Sequence, residues 1–588
     1  MPLLDGRAAG RGRRGTPHRG TRWRRWTAGA VAVVVLVLAW GCYHAARGAL
    51  DLQAADDQLR LARQDLSDGD RAATRLRQAG QRTAAARGHL HDPVVRGFAS
   101  LPLVGDAVDA AAGLADAADT TVRGALLPLV ARAGDDPEGS LIGGPGRVDL
   151  AYLNSLTPVA RESTTVLQRA EAQLAATPAV TGVGPVDRAR AAFADELGRL
   201  QDSMSDLVLG LELAPRLLGQ RGTQRYLVLS QSPAEARGTG GLLGGYSLLE
   251  ASDGALRIVR SGPRGELQSP DEPVVDLGKE FDEHYGSNGA TSAWINSNLS
   301  PHFPYAARIW TELWQRQYPE PLDGVMVLDP VALSYLLRAT GPVAVPSGPP
   351  VSADNVVDVT MREIYARFPD DNARRDAALQ AISTGVAKAL TTRPVSGRAL
   401  VSALSQGVAE RRLLFWSADE AVQERLEDQT LSGTLPQGRR AVGDVIVDTA
   451  GSKLDFYLDR DLRYAAGCGG PSRLGLTLTN GAPASGLPDY VTPEVFRNGQ
   501  PAGTNSVLAT LYLPPGSRVR SMTLGGAPVG YRQGLELGLV WVEALVVLRP
   551  GQSTELAATF DEPLGTDGPL ERIAQPLVRP ETFTATGC

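Results

Sequence analysis

The sequence predicts a multidomain chain: an N-terminal transmembrane helix, an α-helical bundle or stalk, a central α/β layered-sheet domain and a C-terminal all-β sandwich. Three observations predict it. A run of mostly apolar residues without Asp, Glu, Lys or Arg extends from Trp26 to Ala46, behind an arginine-rich start. Its length of about 20 residues suits a bilayer-crossing helix. Helix-like intervals of Leu and Ala then fill residues 47–220. Beyond residue 221, strand-type runs alternate first with helical stretches and, from about residue 440, with turn signals. The 588 residues fit a prior of roughly three to five domains.

Composition sets the class. The chain is 43% hydrophobic and 21% charged, which is the balance of a folded protein. Its net charge of −6 offers no basic surface, so no nucleic-acid partner is expected. Arginine outnumbers lysine, and Ala, Gly and Val abound, as in high-GC, actinobacterial-type coding sequences. Cys468 and Cys588 are the candidates for a disulfide if the C-terminal part is exported; two free thiols are the alternative. The six histidines are scattered and no CxxC pair occurs, so no structural zinc site is expected.

The elements follow in order. Residues 1–25 are Gly- and Arg-rich and read as a disordered cytoplasmic tail. Residues 26–46 form the predicted transmembrane helix, with Trp26, Trp40 and Tyr43 near its ends. The preceding arginines keep the N-terminus in the cytoplasm and export the rest, giving a single-pass plasma-membrane protein. A cleaved signal peptide is the alternative, but no small-x-small site follows a short core. Residues 47–220 read as the stalk or bundle, with Leu50, Leu52, Leu59 and Leu61 in its pattern.

Residues 221–415 read as the α/β domain. Tyr226–Leu229 is a strand that ends at Ser230-Gln231-Ser232-Pro233, and Asp253-Gly254 is a hairpin turn signal. Gln268–Ser292 reads as a long loop. Strand Asp323–Leu328, helix Pro330–Ala339 and strand Gly341–Val345 suggest a βαβ crossover with parallel pairing. Residues 440–588 carry recurrent β-type runs, among them Leu454–Leu458, Leu474–Thr479, Ser506–Leu513 and Leu539–Leu548.

One stretch concentrates unusual chemistry, RYLVLSQSPAEARGTGGLLGGY over residues 225–246. Glu235 and Arg237 stand beside Gly238, Gly240, Gly241, Gly244 and Gly245. A guanidinium and a carboxylate beside glycines suit a phosphate or a metal–phosphate pair. The alternative is a glycine-rich turn packed tightly between two strands, with Glu235 and Arg237 pairing on its surface. Asn296 and Asn298 either cap the next helix or line the cleft.

With the runs INSNLSPHFPYAARIW and LDGVMVLDPVALSYLLRATGPVAV, this stretch resembles the bacterial family DUF4012, a membrane-anchored domain of unknown function. Lys453-Leu-Asp-Phe-Tyr457 and the β-rich tail resemble that family's C-terminal part. The central region also distantly resembles the LytR-CpsA-Psr phosphotransferases. That resemblance implies a polyprenyl-pyrophosphate-linked glycopolymer, magnesium, and arginines on the pyrophosphate. Arg237, Arg264, Arg367 and Arg374 match arginine positions of that pattern, with Gly240 and Gly241 beside the ligand. The two metal-binding aspartates are missing; Arg237 is followed by Gly238-Thr239, and Glu235 is the only nearby carboxylate that could replace them as a magnesium ligand. The resemblance implies a cell-envelope protein that binds such a polymer, and either transfers it to the wall or only holds it. A solvated helix face is the alternative for Arg367, Arg374 and Arg375. The competing class is a non-catalytic membrane-anchored scaffold for exopolysaccharide or wall-assembly proteins.

Overall fold

The computed structural model describes residues 20–64, 69–102, 104–134, 141–346, 348–467, 469–494, 499–563 and 568–587, with backbone alone for 20–34, 63, 64, 69, 134 and 143. The predicted tail at 1–19, Cys468 and Cys588 lie outside the described residues. Contacts divide the chain into two compact units: Met1–Asp135 with Pro158–Leu207, and Asp136–Thr157 with Val208–Cys588.

The first unit is helical. Its longest helix, Gly20–Gln64, includes residues 20–25, read from sequence as disordered tail. It also corrects the membrane expectation. Among the described residues, no helix is long and apolar enough to cross a membrane. The helix then runs unbroken into Asp51, Asp56, Asp57 and Arg60. The predicted transmembrane helix therefore falls, and with it the single-pass plasma-membrane placement and its assigned orientation.

The helix Gly20–Gln64 packs antiparallel to Gly69–Leu90. Gln58 faces Arg75 and Asp51 faces Arg82, each partner one heptad from the next. The seam consists of small residues: Ala55, Ala62, Ala72, Ala79 and Ala86 are buried. Alanine and glycine at heptad spacing let the backbones approach closely. Leu50, by contrast, is 57% exposed. Of the leucines and alanines in the sequence pattern, the alanines line the seam and Leu52 packs beside Ala86 and Leu90.

The second unit holds three sheets. The first has the order β1-β2-β5-β4-β3-β6-β7. Its strands are β1 (Ile142–Gly144), β2 (Arg147–Val148), β3 (Gln224–Arg237), β4 (Gly240–Ser252), β5 (Ala255–Pro263), β6 (Gly324–Leu328) and β7 (Leu413–Ser417). Only β3 and β6 pair in parallel; the other neighbours are antiparallel. Asp253 and Gly254 take φ of 48° and 77° and turn β4 into β5, as their type I′ chemistry requires. The predicted βαβ crossover does not form. Val343 makes an isolated antiparallel bridge to Val351, and β7 takes the place beside β6. Trp294, Trp310 and Trp314 fill the core between the sheet and the helix Phe303–Gln317.

The other two sheets face each other across one core. One has the order β13-β12-β16-β10-β9-β18 and the other β14-β15-β11-β8-β17. The strands are β8 (Ala441–Asp448), β9 (Leu458–Ala465), β10 (Ser472–Asn480), β11 (Asn505–Leu513), β12 (Arg518–Leu524), β13 (Ala527–Pro528), β14 (Arg532–Glu536), β15 (Leu539–Leu548), β16 (Ser553–Asp561), β17 (Glu571–Ile573) and β18 (Thr582–Thr586). Leu462, Leu476, Leu511, Val542 and Phe560 meet between the sheets.

A buried ionic group sits near that core. Arg460 donates to Asp444 at 2.9 Å, and its guanidinium lies 3.8 Å from Glu581. Burial, and then the neighbouring Asp444 carboxylate, push the Glu581 carboxyl well above its ordinary value. The folded chain thus keeps a proton that the unfolded chain releases above the ordinary carboxylate range. That contribution is present in acid and lost as pH rises through the folded value. Glu581→Gln mimics the protonated form. Urea midpoints at acid and mildly alkaline pH should show the natural chain losing more stability on alkalinisation than the variant, by at least about 1 kcal/mol, the worth of one pKa unit.

Candidate functional site

The hairpin β3–β4 carries the chemistry singled out in the sequence. β3 does not end at Ser230 but continues to Arg237 through irregular register. Between the pairs Ser232–Leu242 and Ala236–Gly241, the residues Pro233, Ala234 and Glu235 bulge out of the ladder. Proline has no N–H to give a ladder, and a bulge re-aims the side chains it carries. Here it turns Glu235 toward the sandwich.

The glycines form a tight turn. Arg237 pairs with Gly240, which takes φ of 134°. A Cβ on Gly238 would run into the Leu299 carbonyl oxygen, and one on Gly241 into the Ser232 backbone. Asn298 pins the turn, donating to the Thr239 hydroxyl and the Gly241 carbonyl at 2.9 Å each. Asn296 bonds instead to the Asn288 carbonyl. Gly238→Ala must shift backbone on both sides, so a loss of about 2 kcal/mol or more is expected in urea denaturation.

The hairpin tip enters the sandwich. Ala236 joins the core between its sheets, and its N–H donates to Asp455 at 2.8 Å. Asp455 also accepts from Asn505 at 2.8 Å. Arg237 is buried and spends its guanidinium on backbone carbonyls, at 2.8 Å to its neighbour Ala236 and 3.2 Å to Asp448 at the end of β8. Gln575 accepts the Ile446 N–H and donates to the Arg237 and Ile446 carbonyls. Glu235 pairs with Lys453, whose side chain is 5% exposed. The Lys453 ammonium lies 4.5 Å from the Tyr365 ring centroid and 5.3 Å from that of Tyr490.

The electrostatics are those of a closed network. Burial pushes the Asp448 carboxyl up, and Asp455 adds to the push while Arg237 opposes it. Asp455 is likewise raised by burial, against its bonds from Asn505 and Ala236. Burial opposes the Lys453 charge, but Glu235, Tyr365 and Tyr490 together outweigh it and keep the ammonium above its ordinary value. Lys453 and Arg237 face Glu235, Asp448 and Asp455. Two cations thus face three carboxyls, of which burial raises the two aspartates.

Outside this network lies a half-open rim. A π-helical turn, Val359–Glu363, precedes Tyr365. Tyr365 stacks on Tyr490 at 5.4 Å, and the Arg375 guanidinium lies 3.8 Å from the Tyr490 ring centroid. Asp376 is raised by partial burial against the attraction of Arg375, Arg264 and Lys453.

The sequence-nominated residues thus separate. Arg237, Gly240 and Gly241 build the buried hairpin. Arg264, in the turn Arg264–Glu266, bears on the rim through Asp376. Arg374 is exposed and pairs with Asp371 at 3.3 Å. Arg367 lines a small apolar recess with Val345, Pro349, Val351 and Ile382. Glu235 is committed to Lys453 and does not stand free as a magnesium ligand. Among the described residues, no group of three or more His, Cys, Asp or Glu is placed to hold a metal. The donor set therefore does not fit the magnesium implied by the phosphotransferase resemblance. Sequence reading missed Lys453 and Asp455 as members of the site. The signal was the Lys453–Tyr457 stretch itself, in which polar residues interrupt an otherwise strand-like run.

No curated protein and no solved structure matches the chain. A family model described as "Protein of unknown function (DUF4012)" matches residues 221–365, the region that contains the hairpin, Arg264 and Tyr365, and this match supports assigning the central part of the chain to that family.

Proposed function

We propose that this chain is a non-catalytic scaffold of exopolysaccharide or cell-wall assembly. The observation that supports this is the commitment of Glu235 to Lys453 and of Arg237 to the Ala236 and Asp448 backbone carbonyls. Phosphoryl transfer needs carboxylates free to hold a metal and cations free to meet the phosphates. Here those groups tie a hairpin to a sandwich. The test is transfer of a labelled polyprenyl-pyrophosphate-linked oligosaccharide to wall acceptor by the full chain, with and without magnesium. The expected yield equals that without protein. Magnesium-dependent product abolished by Glu235→Gln would overturn the scaffold reading.

A second reading has its own support in the rim. Arg264 acts on the exposed Asp376, with the buried Arg375 beside the Tyr490 ring, while Lys453 is spent on Glu235. Such a cationic border beside Tyr490 suits an anionic polymer that is held and not transferred. Binding of a polyprenyl-phosphate mimic should then weaken in Arg264→Ala and stay unchanged in Arg439→Ala, whose partners are Asp428 and Glu571. Equal binding by both variants would end this reading.

A further inference from the structure

The antiparallel pair of long helices carries polar layers one heptad apart. Two join complementary partners, Gln58 with Arg75 and Asp51 with Arg82. The third joins like with like: the Nδ1 atoms of His44 and His89 face each other at 2.9 Å. Two features hold them there. One turn beyond His44, a Cβ on Gly48 would meet Leu90 at 2.6 Å, so the absence of a side chain brings the helices together beside His89. On the far side of its ring, His89 Nε2 faces Asp51 Oδ2 at 3.8 Å. A carboxylate there favours the proton on Nε2 and leaves the Nδ1 lone pair aimed at His44.

We propose that His44 and His89 form a two-nitrogen site for a tetragonal divalent transition ion, Cu(II) above all, with Asp51 as the positioning residue behind His89. The ion displaces the proton shared by the rings, which turn so that both Nδ1 lone pairs converge on it, and water completes its coordination. The spacing selects the geometry. Metal–imidazole bonds of about 2.0–2.1 Å put cis nitrogens at about 2.9 Å when they subtend a right angle, but at about 3.3 Å in a tetrahedron. The observed spacing is that of an N–H···N hydrogen bond between the rings, and it leaves the nitrogens already at the right-angled separation. The site is accessible, since the His89 side chain is 28% exposed. His91 belongs elsewhere: it bonds to the Arg87 carbonyl and faces Asp116 at 3.2 Å. Two ligands make a smaller set than a closed metal centre, so binding should be reversible and easily chelated.

The test is titration of the metal-stripped full chain with Cu(II), followed by calorimetry and electron paramagnetic resonance. One saturable site, stripped by chelator, with a two-nitrogen hyperfine pattern is expected. His44→Gln and His89→Gln should each weaken it at least tenfold, Asp51→Asn by about tenfold, and His91→Gln not at all. Zn(II) should displace Cu(II) only in large excess. Unchanged helical circular dichroism in the glutamine variants separates ligand loss from misfolding; if helicity drops, the hyperfine pattern of the natural chain decides. Binding undiminished in both His44→Gln and His89→Gln, loss in His91→Gln, or a spectrum without nitrogen coupling would each overturn the proposal.

Discussion

Lys453→Met should destabilise the second unit by about 3–5 kcal/mol, the usual consequence of removing one partner from a buried ion pair. Its ammonium faces Glu235, and Tyr365 and Tyr490 enclose it. Without it Glu235 stays inside a low-dielectric region beside Asp448 and Asp455, carboxyls already raised by burial. The deprived Glu235 should take up a proton on folding. The deficit of the variant should therefore be smallest in acid and grow as pH rises above the ordinary carboxylate range. Adding Glu235→Gln removes the stranded charge and should restore about half the loss. Urea unfolding of the four chains of this double-mutant cycle measures the coupling. Strict additivity would mean that the two side chains do not interact.

His284→Ala should have an effect of similar size, about 3–5 kcal/mol, from two causes that can be separated. The imidazole lies between Tyr285 and Trp541, with ring centroids 3.9 and 3.7 Å away. It also faces two buried carboxylates, Glu543 at 3.4 Å and Glu536 at 4.0 Å. Alanine leaves a cavity between the rings and removes a partner of both acids. His284→Phe keeps an aromatic ring in the stack and removes only the polar partner, so it should recover the cavity part of the loss. Glu536 keeps Ser300, Tyr285 and Tyr512 as donors, while Glu543 keeps Thr510 and Arg532. Comparing the two variants by urea midpoint and near-ultraviolet dichroism measures each part. A phenylalanine variant as unstable as the alanine one would assign the whole effect to charge.

Local signals in the sequence located many elements and few of their partners. The runs Ser506–Leu513 and Leu539–Leu548 lie in β11 and β15 because alternation and turn residues act within a few positions. The turn at Asp253-Gly254 was legible for the same reason. Leu454–Tyr457 reads as a strand but forms a 3-10 turn, because Asp455 is drawn inward to the Ala236 amide, 219 positions away. Helix Lys279–Tyr285 arises inside a stretch that reads as loop. Its buried His284 and Tyr285 contact strands more than 200 positions later. Such long-range pairings leave no periodicity to detect. The same limit hid the site: Glu235 looked available for a metal until Lys453 was found beside it, 218 positions on.

The last two strands add a constraint on biogenesis. β17 and β18 lie parallel to β8 and β9, one at the edge of each facing sheet, and Gln575 between them reaches back to the hairpin. The five-stranded sheet is not complete until the polypeptide has been made through Ile573, nor the six-stranded sheet until Thr586. A chain emerging from the ribosome therefore holds an unsatisfied β8 edge until residue 573, an unsealed hairpin socket until residue 575 and an unsatisfied β9 edge until residue 586. Exposed edges of this kind invite pairing with other nascent molecules, so expression should depend on chaperone supply, and a stop codon after Asp561 should convert the product to aggregate.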